Sequence, residues 1–374
     1  MKIGLVCPYN IAKGGGVQEI VYAMYRELTS RGHSVKIITP QPRDGSALPA
    51  EDILFVGAAT DFRSPTHTSL QVSASVDGEA IGQMLEQESF DILHFHEPWV
   101  PVLSRQVLSR SNSVNIATFH GVVPETLMSR TVVKVVTPYS LSILKYLHEL
   151  TAVSEAAAEY VRSLTDDPLT IIPNGIDLSR YTKHPSKAPN NPLTILYIGR
   201  LERRKGVKYL LQAFKLLSQD QDNVKLIIAG DGPDREKLEL LAEDLEIHNV
   251  DFLGFISEEL KTQLLQEATV FCSPAVYGES FGIVLLEAMA TGAVTVAGNN
   301  SGYAALMQEL GAISIVNPHD ADEFARRLKL LLTETKLRTL WQEWADEYVK
   351  QFNWPQVIDQ YEALYHEALE RHAH

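Results

Sequence analysis

The chain has 374 residues, 45% of them hydrophobic and 21% charged, and its 33 Lys and Arg against 47 Asp and Glu leave a formal net charge of −14. The length exceeds one ordinary core and points to two domains, while the negative charge argues against a nucleic-acid partner and against wholesale attraction to an anionic membrane. No run is long and apolar enough to span a bilayer, the short apolar start at Met1–Cys7 is no cleavable leader, and the cysteines Cys7 and Cys272 sit in strand-like runs as reduced thiols. The expectation is a cytoplasmic protein whose contact with the inner face of a membrane is peripheral at most.

Residues 2–7 read as a buried strand, Pro8 to Gly16 as a loop, 17–31 as a helix and 35–39 as the next strand. The helix carries an apolar stripe of Ile20, Val21, Met24, Tyr25 and Leu28 and stops at Gly32. Such a βαβ opening calls for parallel strands joined by a right-handed crossover. Residues 41–78, rich in Pro, Ser, Thr and Gly, give no clear element. Helices are then predicted near 79–88, 99–109, 139–147 and 155–164, strands at 91–95, 115–119, 150–153 and 169–172, and a long loop over 121–138. The break at Pro173-Asn174-Gly175 and the polar, Pro-rich stretch from Lys183 to Pro192 mark a domain boundary.

The second half repeats the alternation, with strands at 193–198, 224–229, 250–253, 269–272, 293–297 and 313–316. Helices are predicted near 206–218, 234–245, 257–267, 282–291, 302–309, 320–333, 336–350 and 355–370. The fold class is α/β: two Rossmann-like, doubly wound domains facing a central cleft. They are expected at 1–172, completed by a C-terminal helix over 355–374, and at 173–354. Ligands of such sheets bind at the carboxyl ends of the strands.

The segment Gly278-Glu279-Ser280-Phe281-Gly282 runs straight into a helical pattern whose Ile283, Leu286 and Ala290 are spaced to pack on a sheet. A helix start of this kind turns unpaired N–H groups and the positive end of the helix dipole toward a phosphate. Glu279 on the loop and Glu287 two turns down the helix are too far apart to share a proton, and suit two parts of one long ligand. On pattern alone an ordinary strand-to-helix turn explains the segment as well. Gly14-Gly15-Gly16 likewise permits close backbone approach before a helix or is simply a turn. It lacks the third glycine of a dinucleotide fingerprint, since residue 19 is glutamate, and the next strand ends Thr39-Pro40 without a ribose-binding carboxylate. That disfavours a nicotinamide enzyme.

Arg200 and Lys205 follow a strand and suit a diphosphate, whereas Arg203 and Arg204 read as solvated charges. His94, His96, Glu97 and His120 stand at strand ends. His94 and His96 share a strand face, a metal site there is disfavoured, and His120 is the residue expected to touch a ligand. Gly230-Asp231-Gly232-Pro233 reads as a turn, and Trp341, Trp344, Tyr348, Phe352 and Trp354 as helix packing.

Taken together, GGGVQE, TFHG, PNGID, GRLERRKG and above all GESFGIVLLEAMATG resemble the GT-B retaining glycosyltransferases of family 4, over nearly the whole chain. Within that family the stretches IGLVCPY, FDILHFHEP and GESFGIVLLEAMA are most like the bacterial inositol-lipid mannosyltransferases, which use GDP-mannose. The resemblance implies a retaining hexosyltransferase that moves a hexose, mannose favoured, from a nucleotide-sugar donor to a lipid or glycan hydroxyl. It implies no metal or other cofactor. Glu287 would hold the donor ribose and Glu279 the transferred sugar. Ser280, Phe281, Gly282 and Ile283 would lie along sugar and phosphate, with Arg200 and Lys205 on the diphosphate. Gly15 and Gly16 would meet the phosphates from the other domain, and donor binding would close the domains. His120 would stand beside the reacting centre, Phe255 and Ile256 beside the base, and Tyr9, His96 and Glu97 toward the acceptor. Retention is then explained by front-face attack, because no carboxylate placed for double displacement is evident. One departure is plain: the basic amphipathic helix that the inositol-lipid enzymes carry before the HEP turn is replaced by VDGEAIGQMLEQES, with Asp77, Glu79, Glu86 and Glu88 and no Lys or Arg. An inositol-lipid acceptor is disfavoured accordingly. The alternatives are a nucleotide-sugar epimerase or hydrolase on the same fold, and a non-catalytic glycan- or nucleotide-binding protein.

Overall fold

The computed structural model describes residues 1–42, 51–63, 69–73, 77–122, 127–181 and 192–372. It divides into two compact units, Met1–Gly175 with Trp354–His374, and Ile176–Asn353. The boundary stretch that the sequence places after Lys183 lies, up to residue 191, outside the described residues.

The first unit is built on the strands β1 (Lys2–Val6), β2 (Ser34–Gln41), β3 (Ile53–Arg63), β4 (Ser69–Ser73), β5 (Ile92–His96), β6 (Val114–Phe119), β7 (Glu149–Ala152) and β8 (Leu169–Ile171). They lie in the order β4-β3-β2-β1-β5-β6-β7-β8. All pairings are parallel except β3 with β4, which is antiparallel. The helices are α1 (Gly16–Ser30), α2 (Gly78–Glu88), α3 (Leu103–Leu108), α4 (Leu127–Leu144) and α5 (Glu155–Arg162). Ile3, Leu5, Val6, Ile92, Leu93 and Phe95 are 0% exposed, which is why β1 and β5 read as continuous apolar runs instead of alternating ones.

Two expectations fail here. Residues 53–63 and 69–73 form strands where no element was expected, and residues 127–138, expected as loop, are the first two-thirds of α4, which runs through Pro138. Proline withholds one N–H from a helix, and the valine-rich run before it lowers helix propensity. Neither was enough to stop α4.

The second unit carries β9 (Leu193–Ile198), β10 (Val224–Ala229), β11 (Val250–Gly254), β12 (Val270–Ser273), β13 (Val294–Gly298) and β14 (Ile315–Val316), all parallel, in the order β11-β10-β9-β12-β13-β14. Its helices are α6 (Val207–Asp220), α7 (Arg235–Asp244), α8 (Glu258–Glu267), α9 (Ile283–Ala290), α10 (Ser301–Leu306), α11 (Ala321–Thr333) and α12 (Thr335–Tyr348). Cys272 in β12 and Cys7 after β1 are buried free thiols.

The last helix, α13 (Trp354–His372), belongs to the first unit. Arg31 at the end of α1 donates to Asp359, Glu362 and the Pro355 carbonyl, and His33 Nε2 lies 2.6 Å from Glu362. Deeper in, Tyr361 and Tyr365 of α13 are 3% and 0% exposed against β5 and β6.

Candidate active site

The loop ahead of α9 is shaped by glycine. Gly278 and Gly282 adopt φ of +76° and +107°, which L side chains resist, and Gly282 caps the helix with no side chain of its own. The first N–H groups of α9 are therefore left without a side-chain cap, as the sequence reading expects of an anion site. The loop is braced from behind: a Cβ on Gly302 of α10 would run into the Glu279 carbonyl, and one on Gly282 would crowd the Tyr303 ring. Phe281 is buried, its ring 5.9 Å from that of Phe352. Ile283 opens the helix, and Ser280 precedes the Phe281-Gly282 corner.

Each of the two carboxylates is held by cations. Glu279 Oε1 accepts from Arg204 Nη1 at 2.5 Å and pairs with Lys205 Nζ at 2.7 Å. Arg204 is locked in turn by Glu202 at 2.7 Å and by the Gly278 carbonyl at 3.2 Å, and these carboxylates hold its guanidinium above its ordinary pKa against the effect of burial. Glu287 Oε1 accepts from the Tyr181 hydroxyl at 2.8 Å and from Lys261 Nζ at 3.0 Å. Lys261 also reaches Glu258, and its two carboxylate partners outweigh burial and raise its pKa. Burial and the Glu287 charge push the Tyr181 phenol up, so it stays a donor.

This arrangement revises one expectation. Arg204, read as a solvated charge, is the half-buried clamp on Glu279. Arg200 keeps 45% of its side chain exposed, with Glu202 at 3.8 Å. The residues Arg203–Lys205 form a single 3-10 turn, in which side chains only one position apart point in different directions, and spacing alone does not say which face is inward. Tyr181 and Lys261 were missed altogether: they lie 106 and 26 residues from Glu287 along the chain, and no local pattern ties them to it. Phe255, after β11, is 90% exposed, and Ile256 beside it is half-buried.

In the first unit the candidate residues converge in a buried row. β5 puts His94 and His96 on one face, their rings stacked 4.5 Å apart, and His120 after β6 stacks on His96 at 5.2 Å. His96 Nδ1 lies 2.9 Å from His120 Nε2. His94 is held between the Tyr365 hydroxyl and Thr118, both at 2.6 Å, and Thr118 continues to Thr151 at 2.6 Å. Desolvation lowers all three histidines, His94 and His120 to about 3. The row is therefore neutral. His96 is 0% exposed and His120 6%.

Glu97, in the left-handed region at φ +50°, turns back to accept the His120 N–H at 2.6 Å. Burial raises its pKa, and the His120 and Gly121 N–H groups counter that. Tyr9 is buried beside it, its phenol raised well above the usual value by burial and by Glu97. Gly15 caps α1 and Gly16 begins it. A Cβ on Gly14 or Gly16 would meet nothing within 4 Å, so packing does not require glycine at either place. Among the described residues, no group of three or more His, Cys, Asp or Glu side chains is arranged to hold a metal ion.

Comparison with known proteins agrees with this division. Residues 14–180 match the family Glycosyltransferase Family 4, and residues 180–348 match Glycosyl transferases group 1. The chain is 31% identical to the phosphatidyl-myo-inositol mannosyltransferase of Mycolicibacterium smegmatis, over 98% of this chain and 93% of the relative. It is also 31% identical to the enzyme of that name from Mycobacterium leprae, over 98% and 96%. Among solved structures, a glycosyltransferase from Rickettsia africae aligns with a TM-score of 0.78 at 20% identity over 98% of both chains. Sucrose-phosphate synthase from Thermosynechococcus elongatus aligns with a TM-score of 0.78 at 20% identity over 99% of both. At such identities the structural likeness speaks for the fold alone, which is GT-B. The full-length relatives are transferases, and the epimerase alternative is set aside. The chain belongs to the retaining GT-B glycosyltransferases of family 4 and is a hexosyltransferase.

Proposed function

We propose that this enzyme transfers a mannosyl group from GDP-mannose to a lipid or glycan hydroxyl with retention of anomeric configuration. The observation that carries the donor side is the pair of carboxylates around the uncapped start of α9, each fixed by its own cations: Glu279 by Arg204 and Lys205, Glu287 by Lys261 with Tyr181. In this reading Glu287 accepts ribose hydroxyls and Glu279 accepts hydroxyls of the transferred sugar. Ser280, Phe281, Gly282 and Ile283 line sugar and phosphate, and Phe255 and Ile256 flank the base. The choice of mannose is supported by the full-length relatives named as mannosyltransferases, and that of GDP by the sequence resemblance to enzymes that use GDP-mannose.

Departure of the diphosphate builds negative charge on the leaving oxygen and positive charge on the anomeric carbon. Arg200, Lys205 and the α9 N-terminus supply fixed positive potential for the first. The acceptor hydroxyl attacks from the face the diphosphate leaves, and its proton passes to the leaving phosphate. The open approach at Gly14 and Gly16 suits backbone contact with phosphate, and His120 stands beside the sugar. Tyr9 and Glu97 are assigned to the acceptor side. The charge is met by the chain's own cations in this scheme, so activity is expected to survive exhaustive treatment with EDTA; loss of activity restored by a divalent ion would refute that part.

For membrane contact, no described helix is long and apolar enough to cross a bilayer. Peripheral contact is part of the proposal only if the acceptor is a lipid. The α2 segment does not favour an anionic surface, since Glu88 is bound by Lys2 and Lys36 and the rest of that helix carries no cation.

Calorimetric titration with GDP and with UDP tests the assignment. GDP is expected to bind more tightly, and Glu287→Ala to lose about 1–3 kcal/mol of that binding, as charge-assisted hydrogen bonds to ribose disappear. Equal binding of both nucleotides, or a Glu287→Ala protein that binds GDP as well as the parent, overturns the donor reading.

A further inference from the structure

Beside the turn that carries Arg204, the second unit has a cavity of about 280 Å³ between the start of α6 and α7. That volume is near the lower limit for pockets that hold small molecules. One wall is apolar: Val207 is 2% and Leu238 6% exposed, and Leu241 is half-buried. The rest of the lining is mostly charged. Glu202 and Asp234 bring two carboxylates, and Arg203, Lys208 and Lys237 bring three cations. Both carboxylates are already matched. Glu202 pairs at 2.7 Å with Arg204, which lies outside the lining, and Asp234 pairs with Lys237 at 3.3 Å. Arg203 and Lys208 are left over. Both are exposed, and neither has a carboxylate partner among the described residues. Lys208 Nζ lies over the Tyr209 ring, 5.8 Å from its centre.

The turn itself explains the division. Arg203–Lys205 form one 3-10 turn, so successive side chains leave it roughly 120° apart. Arg204 and Lys205 reach Glu279, at 2.5 and 2.7 Å. Arg203 lines the cavity instead. One run of three cations thus serves two places, and the proposed reaction uses only one of them. Solvation accounts for a single unpaired surface cation. It does not account for two of them converging on a cavity with an apolar wall.

We infer that this cavity is a second binding site, for a small phosphate monoester with an apolar body. The Arg203 guanidinium offers a forked donor edge to the phosphate and Lys208 a point charge. Val207, Leu238 and Leu241 cover the body. A sugar phosphate fits less well, because its hydroxyls would face the apolar wall without partners. Occupation ties down Arg203, and with it the backbone that carries Arg204 and Lys205. That turn then need not be ordered again when the donor binds, so the two ligands are coupled positively. The coupling rests on the proposed donor site; the cavity site does not.

The probe is phenyl phosphate, titrated calorimetrically into the full chain with and without GDP. Inorganic phosphate and phenol serve as the two halves of the ligand. One phenyl phosphate per chain is expected, about ten-fold or more tighter than either half. Arg203→Ala and Leu241→Glu, checked by thermal unfolding, are each expected to weaken it by about ten-fold or more. Lys208→Gln, at an exposed side chain, replaces either variant if it fails to fold. Binding no tighter than that of inorganic phosphate, or binding kept by either variant, overturns the site. Loss of the probe on addition of GDP also overturns it, since the probe then sits in the donor site.

The reciprocal titration measures the coupling. GDP is expected to bind about five-fold tighter to the parent saturated with phenyl phosphate, and to be indifferent to the probe in Arg203→Ala. An unchanged or weaker GDP affinity in the saturated parent refutes the coupling and leaves the site. If GDP does not bind at all, the donor reading fails and the coupling with it, while the phenyl phosphate titration still decides the site.

Discussion

The two units keep polar side chains out of bulk water by opposite means. In the second, Glu279 and Glu287 are matched by Arg204, Lys205 and Lys261 at 2.5–3.0 Å. In the first, His94, His96 and His120 are stripped of charge by burial and linked to one another and to Thr118, Thr151 and Tyr365 as neutral donors and acceptors. A charged cluster can exchange partners with an incoming anion, because each cation has an anion to trade. A neutral buried network has fixed geometry, since breaking any link strands a polar group. In the proposed reading the second unit responds to a ligand, and the first holds position.

The sharpest way to break that contrast is at Glu279. Glu279→Gln keeps the shape but removes the charge that Arg204 and Lys205 share. A kcat/KM lower by on the order of 10³-fold is expected, because the charge on the acceptor proposed for the sugar hydroxyls and the alignment of the cations are both lost. The same substitution is expected to leave the folded state intact by circular dichroism, since the site is at the surface of the unit. A near-normal kcat/KM would mean that the ion pairs are merely structural.

The next largest effect belongs to the neutral row. A histidine held near pKa 3 in the fold and near 6.5 when unfolded is free base in the native state, while the unfolded chain takes up a proton as pH drops. Stability is therefore lost as pH falls below about 6.5, at about 1.4 kcal/mol per pH unit for each such histidine. His94 and His120 together give roughly 3 kcal/mol per unit, and His96 acts in the same direction. Glu97, whose pKa burial raises, has the opposite slope and offsets at most one proton. The urea midpoint is expected to drop between pH 7 and pH 5.5, above the range of ordinary carboxylates. A midpoint that holds over that interval would show that the row is solvated.

How much of this was legible in the sequence follows the same contrast. Alternating apolar runs gave nearly every strand and helix of the second unit, because parallel strands buried on both faces write themselves as runs such as LTILYI and VKLIIA. The antiparallel β4 and its partner β3 left a weaker mark, in a stretch whose Pro and Ser content reads as loop. Period two put His94 and His96 on one face of β5, but only the return of α13 covers that face, from about 270 residues away. Glu279 and Glu287 were legible from their spacing around α9. Their cations were legible only where they lay in one run of residues. Even there, Arg204 was taken for solvent because side-chain direction in a 3-10 turn is decided by tertiary contacts.

Tyr181 supplies the smallest prediction and the one that best tests how the charged cluster works. Its hydroxyl and Lys261 donate to the same oxygen of Glu287. If the role of the pair is to aim the carboxylate, Tyr181→Phe loosens it while Lys261 still balances the charge, and GDP binding weakens by about 0.5–1 kcal/mol, a two- to five-fold change. If the hydroxyl instead occupies the place of a ribose hydroxyl, its removal frees an acceptor and GDP binds more tightly. The sign of the change in the titration decides between these. We expect weakening, because Oε1 already has its two donors and the ribose is then left Oε2, an oxygen that aiming by Tyr181 would present.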